Sequence, residues 1–376
     1  MTNFFRLLLV LSNFSKHVAS LFEIVNRFTI HDFLTHKINP NTILVTDPIR
    51  PHGEVMPGVI KYCQDLGYNV EVLITNDKKV EKPFPMFKKL KVFSFGNTIY
   101  YKALQLKKMN QYKYIIFTSC RVYNSKGIHF IFDYRKNDVI PPEKFLLIEH
   151  HLELISQKEL QKYTFLALPF FADKFHAKMI NPHYFGEIPL HKKNKKIKFV
   201  VAGVIENKRK NHDLLIDTIL ELEKRGIHNY EIIVIGSGNL KINNPIAKKK
   251  IKILGRLTYE KMYKVINKSD YILALLDPNN KEHNRYITDG TSGTYQLSYG
   301  LLKPLVINEK FTELYKLNND NSVIYQGNEL ANAIEKAVVE SNKEYQTRVK
   351  NLKVLAQNIY QKSLNNLEEL IGNNNE

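Results

Sequence analysis

The strongest constraint in the sequence is a repeated alternation of short apolar runs with amphipathic helical patterns. In the first half, residues 42–46, 70–74, 92–95, 114–118, 145–148 and 165–168 are strand-like runs. The first of them, Thr42-Ile43-Leu44-Val45-Thr46, is largely apolar, as a strand covered on both faces of a parallel sheet must be. Helical patterns cover residues 59–66 and 99–109. Residues 191–196 then break the pattern with a polar, charged stretch that reads as a linker. Beyond it the alternation restarts. Strand-like runs fall at 198–203, 230–235, 251–254, 271–275 and 305–307, and helical patterns at 212–225, 259–266, 294–299, 329–339 and 344–370. Such alternation predicts an α/β protein with two parallel sheets, each covered by helices. At about 100–200 residues per domain, the length of 376 residues accommodates two such units.

The ends carry different signals. Residues 3–28 read as one amphipathic helix, with Phe4, Leu8, Leu11, Val18, Phe22 and Val25 on one stripe. Such a helix packs on its own domain, joins a second copy of the chain, or lies in a membrane interface. No run reaches the roughly 18 apolar residues of a membrane span. The short apolar stretch at residues 4–11 continues as patterned helix and not as a cleavage region. Cys63 and Cys120 lie far apart, which excludes a disulfide framework and a zinc ligand set and points to a reducing cytosol.

Open parallel sheets bind ligands at the carboxyl ends of their strands. Several suggestive stretches sit there. Gly203 begins a loop that ends in Lys208, Arg209 and Lys210 before a helix. Cations beside a helix N-terminus suit a diphosphate, although a solvated basic loop has the same look. Gly236 and Gly238 follow the next strand and allow close backbone approach, as simple turns also do. Gly255 and Arg256 follow another and could hold a nucleobase through backbone groups, or form a simple turn. Asp289-Gly290-Thr291-Ser292-Gly293-Thr294 opens a helix, so its backbone N–H groups are free for a phosphate or simply capped. In the first half, His52, Gly53 and Glu54 face the same kind of crevice, as do Glu149, His150 and His151. A histidine there can orient or deprotonate a hydroxyl. No complete metal ligand set accompanies the histidines, so no metal is expected.

Taken in order, these stretches resemble the donor domain of the GT-B glycosyltransferases, in particular the family 4-like group. The resemblance covers about residues 197–340, through Lys210-Asn211-His212-Asp213, Ile235-Gly236-Ser237-Gly238, Ile253-Leu254-Gly255-Arg256, Asp289–Gly293 and Lys303-Pro304-Leu305-Val306. It implies two Rossmann-like domains. Residues 1–38 would be the N-terminal amphipathic segment, 39–190 the acceptor-binding domain, 197–345 the nucleotide-sugar domain, and 346–376 a C-terminal helix and polar tail. Lys210 matches the family's lysine for the donor phosphates. The family's upstream arginine is missing, since Val204, Ile205, Glu206 and Asn207 hold its place, which leaves Arg209 as the nearest guanidinium. Asp289 stands at the first glutamate of the family's E-x7-E element and Leu297 at the second, leaving Gln296 or Glu309 to substitute. His150 matches the acceptor-side histidine by its position after a strand.

The activity implied is metal-independent transfer of a hexose-type sugar, with the nucleotide-sugar as substrate and no separate cofactor. The acceptor would be a glycan or a lipid-linked molecule in the assembly of bacterial-type surface polysaccharide or glycoconjugates. The setting would be cytoplasmic, peripheral at the inner face of the cell membrane. Two other readings stay open: a sugar-nucleotide epimerase of the same fold, and a non-catalytic glycosyltransferase-like partner protein. A nucleic-acid partner is not expected, because no recognition module is legible. The net charge of +18 has two addresses. Residues 78–113 hold ten Lys and one Glu, suited to an anionic membrane surface, although a solvated lysine face has the same composition. Residues 192–210 hold eight cations and one Glu, spanning the linker and the proposed phosphate site.

Overall fold

A computed structural model describes residues 30–124, 127–130, 140–170, 175, 177–206, 209–288 and 290–372. The amphipathic helix expected over residues 3–28, with its roles in membrane contact and self-association, lies outside the described residues, as does Asp289.

The first sheet is built from β1 (Thr42–Asp47), β2 (Asn69–Thr75), β3 (Lys91–Phe95) and β4 (Tyr114–Phe117). A two-stranded hairpin, β5 (Arg121–Asn124) and β6 (Gly127–Phe130), interrupts it before β7 (Phe145–Glu149), β8 (Thr164–Ala167) and β9 (Lys178–Met179). The seven main strands run in the order β3-β2-β1-β4-β7-β8-β9, every pair parallel. All six residues of β1 are buried, with the apolar run Ile43-Leu44-Val45 at its centre, as a strand covered on both faces requires.

The second sheet holds β10 (Ile197–Ala202), β11 (Tyr230–Ile235), β12 (Ile251–Gly255), β13 (Tyr271–Leu273), β14 (Leu305–Asn308) and β15 (Val323–Tyr325). Their order is β12-β11-β10-β13-β14-β15, again all parallel. In each sheet the first strand lies in the middle, with the chain winding outward on both sides. Loops leaving β1 and β10 therefore sit at the switch points where such sheets open a crevice.

Three expectations needed adjustment. The helix expected over residues 99–109 is divided into Asn97–Ala103 and a 3-10 turn, Lys107–Gln111. Leu104 and Met109 are both buried in one core, and five residues apart they cannot share a face of a straight α-helix. The strand expected to reach residue 275 stops at Leu273, because Leu275 turns left-handed with φ of 51°. The C-terminal helix is longer than expected, one element of 31 residues from Asn342 to Gly372. A capping box starts it, with Ser341 and Glu344 exchanging side-chain and backbone bonds of 2.7 and 3.2 Å.

That helix serves both domains. Tyr345, Val349, Leu352, Ala356 and Ile359 complete the second core, while Leu367 and Ile371 enter the first. The chain also crosses between Ile180, in the first core, and Phe185, in the second. The two crossings are bonded together. Asn181 N donates to Ser363 Oγ at 3.0 Å, and Asn366 Nδ2 to the Met179 carbonyl at 2.7 Å. The His183 ring lies between the carbonyls of Asn181 and Ala356, at 2.7 and 3.0 Å. A neutral imidazole carries one N–H, so it serves one of them at a time. Gly300 allows the close fit, since a Cβ there would stand 2.1 Å from the His183 carbonyl oxygen.

The charged break at residues 191–196 is irregular, as expected, but it is stapled to the second domain. Asn194 donates to the buried Asp270 carboxylate from both backbone and side chain at 2.9 Å, and Lys193 Nζ to the Val338 carbonyl at 3.1 Å. No helix among the described residues is long and apolar enough to cross a membrane.

Candidate active site

On the second domain the site begins with Lys210. Its loop leaves β10 and ends at Asn211, which caps the helix His212–Lys224 by accepting from Leu214 N at 2.9 Å. The early end of β13 matters here. The Ala274 carbonyl turns free and accepts from Lys210 Nζ at 2.7 Å, and the Leu275 carbonyl accepts from Asn211 N at 2.9 Å. Lys210 Nζ also donates to Thr294 Oγ1 at 3.0 Å. Only 6% of the residue is exposed, and no carboxylate pairs with it among the described residues. Burial pushes its ammonium down to about 8. The neighbouring His212, buried first and then opposed by the Lys210 charge, is pushed down to about 4. Arg209 stands beside them, half-buried.

Gly236 and Gly238 have a local reason to lack side chains. A Cβ on Gly236 would fall 1.5 Å from the Gly203 carbonyl oxygen, and one on Gly238 2.6 Å from that of Ile205. The crossing of these two loops fills the room the glycines leave. Arg256 extends to the first domain, where it meets Glu81 at 3.0 Å.

The loop that opens the helix Gly293–Leu301 is shaped by three bonds. Gly290 N donates to the Arg285 carbonyl at 2.7 Å, and Tyr315 OH to the Gly290 carbonyl at 3.0 Å. Ser292 accepts from Thr294 N at 3.4 Å as the cap. Thr291 lies between them. Leu297 is 5% exposed and belongs to the core, and Gln296 is buried with its amide against no polar partner among the described residues. The Glu309 carboxylate accepts from Gln326 at 2.9 Å.

The first domain presents its loops from the opposite side. Asp47, at the end of β1, is fully buried and bound by Thr118 Oγ1 at 2.7 Å, Ile49 N at 2.9 Å and Lys78 Nζ at 2.7 Å. Lys78 also donates to the Pro51 carbonyl at 2.9 Å, which pins the loop carrying His52, Gly53 and Glu54. Glu149 organises the second loop. One of its oxygens accepts from the backbone of His150 and His151 at 2.8 and 3.1 Å, the other from Arg121 Nε at 2.5 Å. His150 Nε2 lies 2.8 Å from the Thr118 carbonyl. A carbonyl only accepts, so that nitrogen carries the proton and Nδ1 the lone pair. Burial, then the adjacent His52, pushes the His150 ring down to about 3, so it stays neutral. The rings of His52 and His150 meet edge to face at 4.7 Å. With Ile49, Ser119 and Cys120 they border a cavity of about 30 Å³.

The two sides meet across the cleft. Gly53 N donates to Tyr259 OH at 2.8 Å. Glu81 binds Arg50 Nε at 2.7 Å as well as Arg256. His151 pairs with Gly290 as an isolated bridge, and its Nε2 is 3.1 Å from Arg285. Glu54 Oε1 comes within 2.9 Å of where a Cβ of Gly293 would stand. Burial would raise the Glu54 carboxyl, but bonds with His52 and Tyr259 outweigh it and hold it at about 2.

The structure thus brings Gly53, His150, Lys210 and Gly290–Thr294 to one cleft. Tyr259, Glu81, Lys78 and Arg285 were not foreseen. Their roles come from pairing over 27 to 206 positions, which no local pattern signals.

No protein-family profile and no curated protein matches the sequence. Solved structures do match. A glycosyltransferase from Rickettsia africae superposes with a TM-score of 0.54 at 14% identity, over 90% of this chain and 100% of that one. WaaG, a glycosyltransferase involved in lipopolysaccharide biosynthesis, gives 0.51 at 10% identity, over 88% and 100%. The trehalose-6-phosphate structure from E. coli, bound with UDP-2-fluoro glucose, gives 0.51 at 10% identity, over 88% and 99%. With two Rossmann-like parallel sheets facing one cleft, this chain has the fold of the GT-B glycosyltransferases.

Proposed function

We propose that the protein is a glycosyltransferase that moves a sugar from a nucleotide-sugar to an acceptor hydroxyl. One observation carries this reading. A buried ammonium, Lys210, has only neutral oxygen partners among the described residues, Ala274 O and Thr294 Oγ1, beside the start of the helix Gly293–Leu301. An unmatched buried cation costs stability unless an anion arrives. The donor diphosphate is such an anion, and the helix N-terminus favours the same charge. Lys210, with Arg209 beside it, then neutralises the charge that develops on the leaving nucleoside diphosphate, and no metal is required. Across the cleft, the His150 Nδ1 lone pair accepts a hydrogen bond from the acceptor hydroxyl and aligns it. At about 3, its ring is too weak a base to hold the proton for long; its part is orientation. Asp289, Thr291 and Ser292 would contact the donor sugar and phosphates, and Gly255 with Arg256 the base.

A non-catalytic partner is the second reading, favoured by the apolar Leu297 and unpartnered Gln296 where a carboxylate would hold the ribose. A nucleotide-sugar hydrolysis screen, read as released nucleoside diphosphate, separates the two. Release from one donor class is expected. No release from any, with no binding by titration, would leave the partner reading. An epimerase would convert the donor without releasing the nucleotide.

The acceptor we favour is a glycan or lipid-linked molecule of surface polysaccharide or glycoconjugate assembly, met at the inner face of the membrane. The basic stretch at residues 78–113 supports this in reduced form. Lys78 is buried against Asp47, Tyr100 is buried with its hydroxyl on Thr46, and Lys108 donates to the Leu34 carbonyl at 3.2 Å. Lys88, Lys89 and Lys107 remain exposed. At about 1 kcal/mol per cation near an anionic surface, replacing these three with Gln should weaken binding to anionic liposomes roughly a hundredfold. Unchanged co-sedimentation would remove the membrane from the reading.

A further inference from the structure

We infer that Glu54 is a resident anion: in the unliganded protein its carboxylate stands at the N-terminus of the helix Gly293–Leu301, and the donor diphosphate must displace it to bind. The inference rests on the donor site proposed above and goes beyond it, because it makes donor binding a competition with the protein's own side chain.

The geometry is specific. Glu54 Oε1 lies 2.9 Å from the position of a Gly293 Cβ, at the first residue of a nine-residue helix. Any side chain at Gly293 would strike it. Ser292 and Thr294, on either side, belong to the loop that receives the Lys210 ammonium. The side chain is 15% exposed, and the His52 ring lies close by, with Nδ1 3.7 Å from Oε1. It stays ionised in this enclosed place because burial, which would raise it, is outweighed by the hydrogen bonds and charge of His52, its own backbone amide and the Tyr259 hydroxyl. A diphosphate brings two or more further negative charges to the same spot. Like charges side by side in a protein surface environment repel, so the two anions exclude each other.

A consequence follows for the acceptor side. His52 pairs with Glu54 and rests against His150, and the Gly53 amide is held by Tyr259. Displacing Glu54 removes one of the contacts that fix this loop, and so loosens it at Gly53.

Competition by an internal group lowers apparent affinity by the fraction of molecules in which the site is free. The test is calorimetric titration of the full chain with UDP, GDP and ADP, each alone, in the wild type, Glu54→Gln and Glu54→Ala. Both variants are expected to bind the preferred nucleotide about tenfold more tightly than the wild type. If the wild type binds and neither variant binds more tightly, Glu54 is not the competitor, while the donor site stands. If no form binds any nucleotide, the donor site and the inference both fall. Hydrogen exchange on the wild type gives a measure that needs no variant. Nucleotide should speed exchange of the Gly53 amide; slower exchange would overturn the displacement.

Discussion

Replacing Lys210 with alanine is expected to slow sugar transfer by about a hundred- to a thousandfold. That is the usual loss when one preorganised donor to a developing negative charge is removed. The ammonium is held in place by Ala274 O and Thr294 Oγ1, so little reorganisation is needed when the leaving diphosphate appears. The same lysine sets a pH dependence with a definite sign. Burial lowers it to about 8, so it is charged below that pH in the free protein and neutral above it. An anionic donor binds the charged form and raises the lysine's pKa in the complex. Donor affinity should therefore hold steady below pH 8 and fall as pH rises beyond it, with proton uptake on binding. Titration of the donor in buffers of different ionisation heat measures that uptake. A Lys210→Met variant that retains the full rate, or the same pH profile, would remove the lysine from the mechanism.

The second large effect falls on stability. Lys78 and Asp47 are both fully buried and 2.7 Å apart. Lys78→Met leaves the Asp47 carboxylate buried without its counter-ion, which should cost about 3–5 kcal/mol. It also frees the Pro51 carbonyl, and with it the loop that presents His52, Gly53 and Glu54. The expected result is a clear drop in the urea midpoint of unfolding, partly restored when Asp47→Asn is added. A loss under 1 kcal/mol would mean that the pair does not hold the loop.

These two residues also show what was legible in the sequence. Lys210 could be read from its place, at a strand end and before a helix, because both elements are local and periodic. Lys78 looked like one more cation in a basic stretch. Its burial depends on Asp47, 31 positions away, and on nothing in its own neighbourhood. The sheets were readable for the same reason as Lys210: buried parallel strands carry continuous apolar runs, as Ile43-Leu44-Val45 does within Thr42–Asp47. The short strands Lys178–Met179 and Val323–Tyr325 were not, since two or three residues carry no period. Gly236 and Gly238 were noticed as glycines, but which neighbour required them is a matter of two loops crossing. At the cleft, the histidines and the Gly290–Thr294 loop were foreseen one by one. That Glu54 would stand over Gly293 was not, because the two lie on different domains.

The paired crossings at residues 180–185 and 356–363 limit how the cleft can move. A body tethered at one point swings in every direction. Tethered at two adjoining points, bonded here through Asn181 to Ser363 and His183 to Ala356, it keeps one easy degree of freedom, rotation about the axis through both. Every contact across the cleft then lies on an arc about that axis. Gly53 must part from Tyr259, Glu54 from Gly293 and Glu81 from Arg256 in a single stroke, so the cleft opens as a jaw and not by peeling from one edge.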